Sequence, residues 1–222
     1  MQTKVFSVAV LAIVAIVAML AVPSQARAFG IDVSSGVSES QFSSGHRHGN
    51  FSFAIPRIWQ SFGRGDPNGA ANVRNAHAAG YSKVDGYAFI CPNGGSVSSQ
   101  ISGLFSYLND NHVNIDTVWL DVEAPSLWTG SVSGNRNYMT ELIDAMNKSG
   151  LKYGIYSSPG EWSSLFGSWR IDFPRCWYAT YDGSLSCSSE PFPGCRPMYK
   201  QFNDHDSFCS NAGFSCDVSV SC

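Results

Sequence analysis

The feature that most constrains this chain is a repeating order of short apolar strand patterns and helix-compatible stretches. Phe29-Gly-Ile-Asp32-Val reads as a short strand, a polar Ser/Gly stretch follows, and Phe51 to Trp59 reads as a second strand. Asp66 as N-cap, Pro67 at the first helical position and Gly80 as terminal glycine bracket a helix that runs through Asn72 to Ala79. A strand from Val84 to Ile90, a helix from about Val97 to Asn109, a strand from Thr117 to Val122 and a helix from about Asn137 to Lys148 continue the alternation. Tyr153 to Tyr156 is again a strand, and a short helix is expected near Trp162 to Phe166. Strands near Cys176 to Thr180, Met198 to Phe202 and Asp217 to Val220 complete the order. Such βα units imply an α/β fold with parallel strands and crossover helices, either a closed barrel or an open doubly wound sheet. No G-x-G-x-x-G follows the first strand, which removes the usual reason to choose a dinucleotide fold. The last segments look like strands joined without full helices, so an irregular barrel with incomplete helices in its C-terminal part is expected.

The first 28 residues stand apart from this pattern. A charged start, an apolar run from Val5 to Val22 and an A-x-A site at Ala26-Arg27-Ala28 read as a signal peptide, leaving residues 29–222 as a single domain. Secretion to the extracellular space or to a lysosome-like digestive compartment is therefore expected, with no stable membrane insertion. Loss of Lys4 and Arg27 leaves 12 basic against 17 acidic side chains, which argues against nucleic acid or an anionic membrane as partner. Six of the seven cysteines lie at Cys176, Cys187, Cys195, Cys209, Cys216 and Cys222. Behind a signal peptide this clustering reads as disulfide stapling, and no C-x-x-C or H-x-x-x-H spacing suggests a metal. The odd count leaves one thiol over, and Cys91, alone in the N-terminal half, would need a distant partner. No cofactor is called for, and a monomer is expected.

Asp121 and Glu123 are the acidic residues that a solvated surface explains least. Trp119, Leu120 and Val122 make their segment apolar, and acids within such a run are costly unless paired or used. On one strand the two would point to the same face with Cα atoms about 6.6 Å apart, at the C-terminal end where parallel α/β folds build their sites. Asp32 ends the first strand and Asp217 lies at the last, and in a closed barrel those strands are neighbours. Four carboxylates at one mouth would raise at least one carboxyl pKa, keeping a proton donor beside ionised partners. Cleavage through an oxocarbenium-like transition state uses that combination. Tyr87, Tyr156 and Trp177, at or near predicted strand ends, are candidates for stacking on sugar rings, while Trp119 is assigned to the core and His46 and His48 to a solvated loop.

The ordered set Phe29-Gly-Ile-Asp32-Val-Ser, Trp119-Leu-Asp121-Val-Glu123, Tyr153-Gly-Ile-Tyr156-Ser, Trp177-Tyr-Ala179 and Lys200-Gln-Phe before Asp217-Val resembles the family 25 glycoside hydrolases, the Chalaropsis-type lysozymes. Phe53-Ala-Ile-Pro-Arg-Ile, Asp66-Pro-Asn and Tyr87-Ala-Phe-Ile-Cys91-Pro look most like the secreted animal and amoebal branch. The resemblance implies a flattened, TIM-like (β/α) barrel that hydrolyses the β-1,4 bond between N-acetylmuramic acid and N-acetylglucosamine in bacterial peptidoglycan, for defence or digestion. It also implies roles: Glu123 as general acid/base, Asp121 as the partner that tunes charge and positions substrate, Asp32 and Asp217 as the rest of an acidic floor. A protein nucleophile and the substrate's own acetamido group both remain open as the attacking group. The chain departs from the pattern at Tyr199-Lys-Gln-Phe, where the family has Trp-Gln-Tyr.

Two rivals stand beside it. A chitinase-type strand would carry D-x-x-D-x-D-x-E, and counting back from Glu123 aligns Asp121 and Asp116 but puts Trp119 in place of the middle aspartate. A non-catalytic glycan-binding protein on the same barrel would have lost the acid pair, and here all four carboxylates are present.

Overall fold

The computed structural model describes residues 27–222; the expected signal-peptide segment up to Gln25 and Ala26 lies outside them. The N-terminal half alternates as expected: β1 (Phe29–Val33), α1 (Glu39–His48), β2 (Phe51–Gln60), β3 (Arg64–Gly65), α2 (Gly69–Ala78), β4 (Lys83–Val84), β5 (Gly86–Ala88), α3 (Val97–Asp110) and β6 (Val118–Asp121). Then come α4 (Val132–Ser149), β7 (Tyr153–Ser157), α5 (Pro159–Phe166), β8 (Cys176–Ala179), β9 (Pro197–Asn203), α6 (Ser207–Asn211) and β10 (Asp217–Ser221). Among the described residues no helix is long and apolar enough to cross a membrane.

Eight strands close on themselves in the order β1, β2, β5, β6, β7, β8, β9, β10, with β10 returning to β1. Pairing is parallel from β1 round to β9, but β10 runs antiparallel to both its neighbours. That reversal corrects the simple picture of repeated βα units: between β9 and β10 the chain forms only α6, a helix of five residues, and not a full crossover helix of the kind that joins the parallel strands. It also places the start of β10, not its end, at the mouth, so Asp217 pairs in register with Asp32.

Side chains alternate across each strand and sort the barrel into two apolar compartments. Phe53, Ile55, Trp119, Tyr156, Trp177, Ala179 and Tyr199 pack inside, while Ile58, Leu104, Leu120, Met139 and Ile155 belong to the layer between barrel and helices. Trp119 lies in the core as assigned, its indole donating to Asp85 at 2.9 Å. The ring fits because a Cβ on Gly154 of the next strand would clash with it. Asp85 also breaks the expected Val84 to Ile90 strand into two pieces, since its amide bonds Ala54 of β2 and the next amide bonds Thr117 instead.

Other departures are local. Helix α1 occupies the stretch read as a polar Ser/Gly segment; Ser38 and Gln41 form a capping box, but only Phe42 and Gly45 are buried. His46 and His48 therefore sit on a helix, and the His46 Nδ1 lies 2.9 Å from the Phe51 carbonyl. Asp66 caps one turn early: it accepts from the Asn68 amide at 2.8 Å and from Arg57 at 2.6 Å, and α2 begins at Gly69 with Asn68 as its N-cap. Helix α4 starts at Val132 behind Ser131, earlier than Asn137. The disulfides are Cys176–Cys195, Cys187–Cys222 and Cys209–Cys216; Cys91 has no distant partner and is a buried free thiol.

Candidate active site

The mouth is built by strand ends brought together only by closure. Asp32 is the penultimate residue of β1, Asp121 ends β6 and Asp217 starts β10, and their inward orientation follows from the strand period. Glu123 is placed differently from the expectation: β6 stops at Asp121, so Glu123 lies beyond the strand. Its backbone is nevertheless fixed. The Val122 amide bonds Tyr156, Ser157 Oγ donates to the Val122 carbonyl at 2.7 Å, and Trp128 Nε1 donates to the Glu123 carbonyl at 2.9 Å. Ala124 then turns the chain in a left-handed conformation, φ 51°, into a short 3-10 helix at Pro125–Leu127. A non-glycine residue holds that conformation only where its surroundings over-determine it.

All four carboxylates and the three aromatic residues singled out from sequence line one pocket of ≈ 80 Å³. Two further residues join them. Gln201 of β9 is the hub: its amide nitrogen donates to Asp32 at 2.8 Å and Asp217 at 3.2 Å, while its oxygen accepts from Tyr156 at 2.6 Å and Tyr181 at 2.7 Å. One buried amide thus uses both hydrogens on carboxylates and both lone pairs on tyrosines. Sequence reasoning quoted Gln201 within a motif but gave it no role, and passed over Tyr181. The available signal was the spacing of two from Trp177 through Ala179 to Tyr181, which lies just beyond the end of β8.

The aromatic residues differ in what they offer a ligand. Trp177 is 2% exposed and Tyr156 is 7%, their rings 4.3 Å apart, with the indole donating to Ser219. They form the floor. Tyr87 is half-buried, and Tyr181, 45% exposed, presents its ring at the rim.

Burial dominates the electrostatics, and charge crowding adds to it. Asp121 is 4% exposed, with one oxygen lacking any hydrogen-bond donor among the described residues. Burial holds its pKa well above the usual carboxylate range; Glu123 and Asp32 push it further and Arg57 opposes them. Asp32 is raised by burial and by Asp217, against the Gln201 hydrogen bond. Asp217 is pushed up to about 6 by burial, with Asp204 adding and His205 opposing. For Glu123 the causes are burial, then Glu161 in the first turn of α5 and Asp217. The four titrate as a group, so the site retains at least one proton at pH values where isolated carboxyls have lost theirs. Glu123, half-buried and outside the strand, is the member best placed to hand that proton outward.

Comparison with known proteins bears on the family and the fold. A family model described as Lysozyme-like protein 1 matches residues 23–211. Probable GH family 25 lysozyme 5 of Dictyostelium discoideum is 37% identical over 179 residues, covering 78% of this chain and 82% of that protein. A more distant relative in the same organism, Counting factor 50, is 32% identical over 199 residues, 86% of this chain and 64% of that protein. The structure of a family GH25 lysozyme from Aspergillus fumigatus shares the fold at a TM-score of 0.70 and 17% identity, covering 88% of this chain and 94% of that one. The expected barrel, its acidic mouth and these matches coincide along one sequence, and the chain belongs to the glycoside hydrolase family 25 lysozymes.

Proposed function

We propose that this chain is a secreted N-acetylmuramidase that hydrolyses the β-1,4 bond between N-acetylmuramic acid and N-acetylglucosamine of bacterial peptidoglycan, in defence against bacteria or in their digestion. The observation that carries it is the convergence of Asp32, Asp121, Glu123 and Asp217 in one pocket, all with raised pKa values. A pocket of ≈ 80 Å³ is nearer the room of a few waters than of a whole ligand, so it addresses the reacting atoms while the glycan lies across the mouth. Glu123 protonates the leaving oxygen as the glycosidic bond breaks, and the ionised neighbours stabilise the positive charge that develops on the sugar. Asp121, deeper and near Arg57, is the charge partner of Glu123, whose carboxylate raises the Asp121 pKa. Tyr87, Tyr156 and Trp177 shape the subsite around the reacting ring.

The test is mass analysis of fragments released from purified peptidoglycan, with chitin as parallel control and Glu123→Gln as the inactive comparison. Muropeptides ending in reducing N-acetylmuramic acid, absent with the variant, are expected; full activity of Glu123→Gln sinks the assignment. Glycan binding without turnover on the same barrel is the second reading. The four retained carboxylates weigh against it, and binding without fragment release would establish it. Raised carboxyl pKa values and the net acidic charge further support work in an acidic compartment, where repulsion from anionic walls weakens. A pH profile peaking at neutral pH and low salt would count against that setting.

A further inference from the structure

From β1 to β8 each parallel connection carries a helix, whereas the segment between Ala179 and Pro197 carries none. An irregular segment laid on a sheet face brings carbonyls that need donors where water is excluded. Lys200 provides them. It faces outward on β9 with its side chain only 3% exposed, and its Nζ donates to the carbonyls of Ser184 at 2.8 Å and Ser186 at 3.1 Å and to both Asp182 oxygens, at 2.8 and 3.0 Å. Tyr178, outward on β8, accepts the Ser188 amide at 2.8 Å, and Cys187 ties the segment to Cys222. Burying an ammonium is costly, and an apolar side chain would cover the strand at less expense in desolvation. The charge at this position therefore calls for a use.

That use lies one residue before Asp182. Tyr181 holds a left-handed backbone, φ 48°, which a tyrosine keeps only under constraint. Its hydroxyl donates to Gln201 and lies 3.2 Å from the Tyr156 hydroxyl, while its ring is exposed at the pocket rim. Consecutive residues of β9 thus grip it from two sides: Gln201 takes the hydroxyl inside the barrel, and Lys200 anchors the adjoining backbone outside.

We propose that Lys200 is a positioning residue that, through Asp182, holds Tyr181 over the carboxylate pocket as an aromatic face for a sugar ring of the bound glycan. A pyranose has an apolar C–H face, and a tyrosine fixed by its hydroxyl offers a rigid surface at small entropic cost. Lys200 itself touches no reacting group. The sugar-binding part rests on the muramidase reading; the anchoring part does not.

The experiment combines Asp182→Ala, Lys200→Met, Tyr181→Ala and the Asp182→Ala/Tyr181→Ala double variant. Asp182 is 48% exposed, so its truncation leaves the core intact should Lys200→Met fail to fold. Hydrogen exchange of the amides of residues 181–186 is read beside kinetics on soluble peptidoglycan fragments. Both anchor variants are expected to speed exchange by about tenfold. In kinetics, KM should rise by up to about tenfold while kcat stays within about twofold. Adding Asp182→Ala to Tyr181→Ala should raise KM no further, because both act through one ring. Faster exchange with unchanged KM, equal loss in kcat and KM, or an additive double variant overturns the positioning role. If the wild-type protein releases no muropeptides, the muramidase reading falls alone; unchanged protection of residues 181–186 in both anchor variants overturns the anchor by itself.

Discussion

The two ends of the barrel wall reach the same outcome by different means. From β1 to β8 the outer face is covered by helices α1 to α5, and apolar side chains such as Leu104, Leu142 and Trp162 fill the space between. From β8 to β10 the cover is irregular chain and the five-residue α6, held by three disulfides and by polar tips reaching out from the strands. The helical part gains stability mainly from area removed from water, the stapled part from restricting the unfolded chain. Both feed one site: Asp121 and Glu123 come from the first, Gln201, Tyr181 and Asp217 from the second.

That contrast can be broken from either side. Leu104→Ala in α3, at a fully buried position, should cost ~2–5 kcal/mol of global stability in chemical denaturation, with or without reductant. Replacing Cys187 and Cys222 together by Ser should cost ~2–4 kcal/mol, with hydrogen exchange rising first between β8 and β10 and the helices still protected. Equal loosening of both regions would show that they unfold as one unit. Gln201→Leu removes hydrogen bonds to two carboxylates, and kcat/KM on peptidoglycan should fall by about tenfold to a hundredfold.

The helical contribution to the site is expected to work against stability. Folded Asp121 has a raised pKa, so the folded chain holds a proton that the unfolded chain releases near its ordinary value. The associated stability is present below about pH 4 and is lost as pH rises through the folded value. Asp121→Asn should therefore raise stability at pH 7 by ~1–2 kcal/mol, gain little at pH 3, and lower activity at both; calorimetry at the two pH values checks it. The smallest change is expected from Glu161→Gln. Losing that negative charge favours ionised Glu123, so the basic limb of the pH–rate profile should move down by about half a pH unit.

How far the sequence foretold this depended on whether a residue left a periodic or a discordant trace. Alternating strand and helix patterns implied the barrel, and acids inside the Trp119 to Val122 run were visible because burial makes them costly. The reversal of β10 left no trace, since period two is the same in either direction. Helix α1 was hidden because it buries so little that no apolar stripe forms, although Ser38 and Gln41 carried its start. Gln201 escaped as a neutral amide whose role comes from four partners distant in sequence, and the cysteine pairing followed from a fold that had yet to close.

Because β10 descends while the other barrel strands rise, the chain comes back to where the first strand begins. Ala28 and Ser221 bond each other there, amide to hydroxyl at 2.9 Å and amide to carbonyl at 2.8 Å, on the side away from the carboxylates. A module fused at either point would hang below the barrel and leave the mouth free for a polymer. A short covalent link between Ala28 and Ser221, with the chain opened in an exposed loop, should give a variant that still folds, because the barrel's closing seam already holds these two residues together.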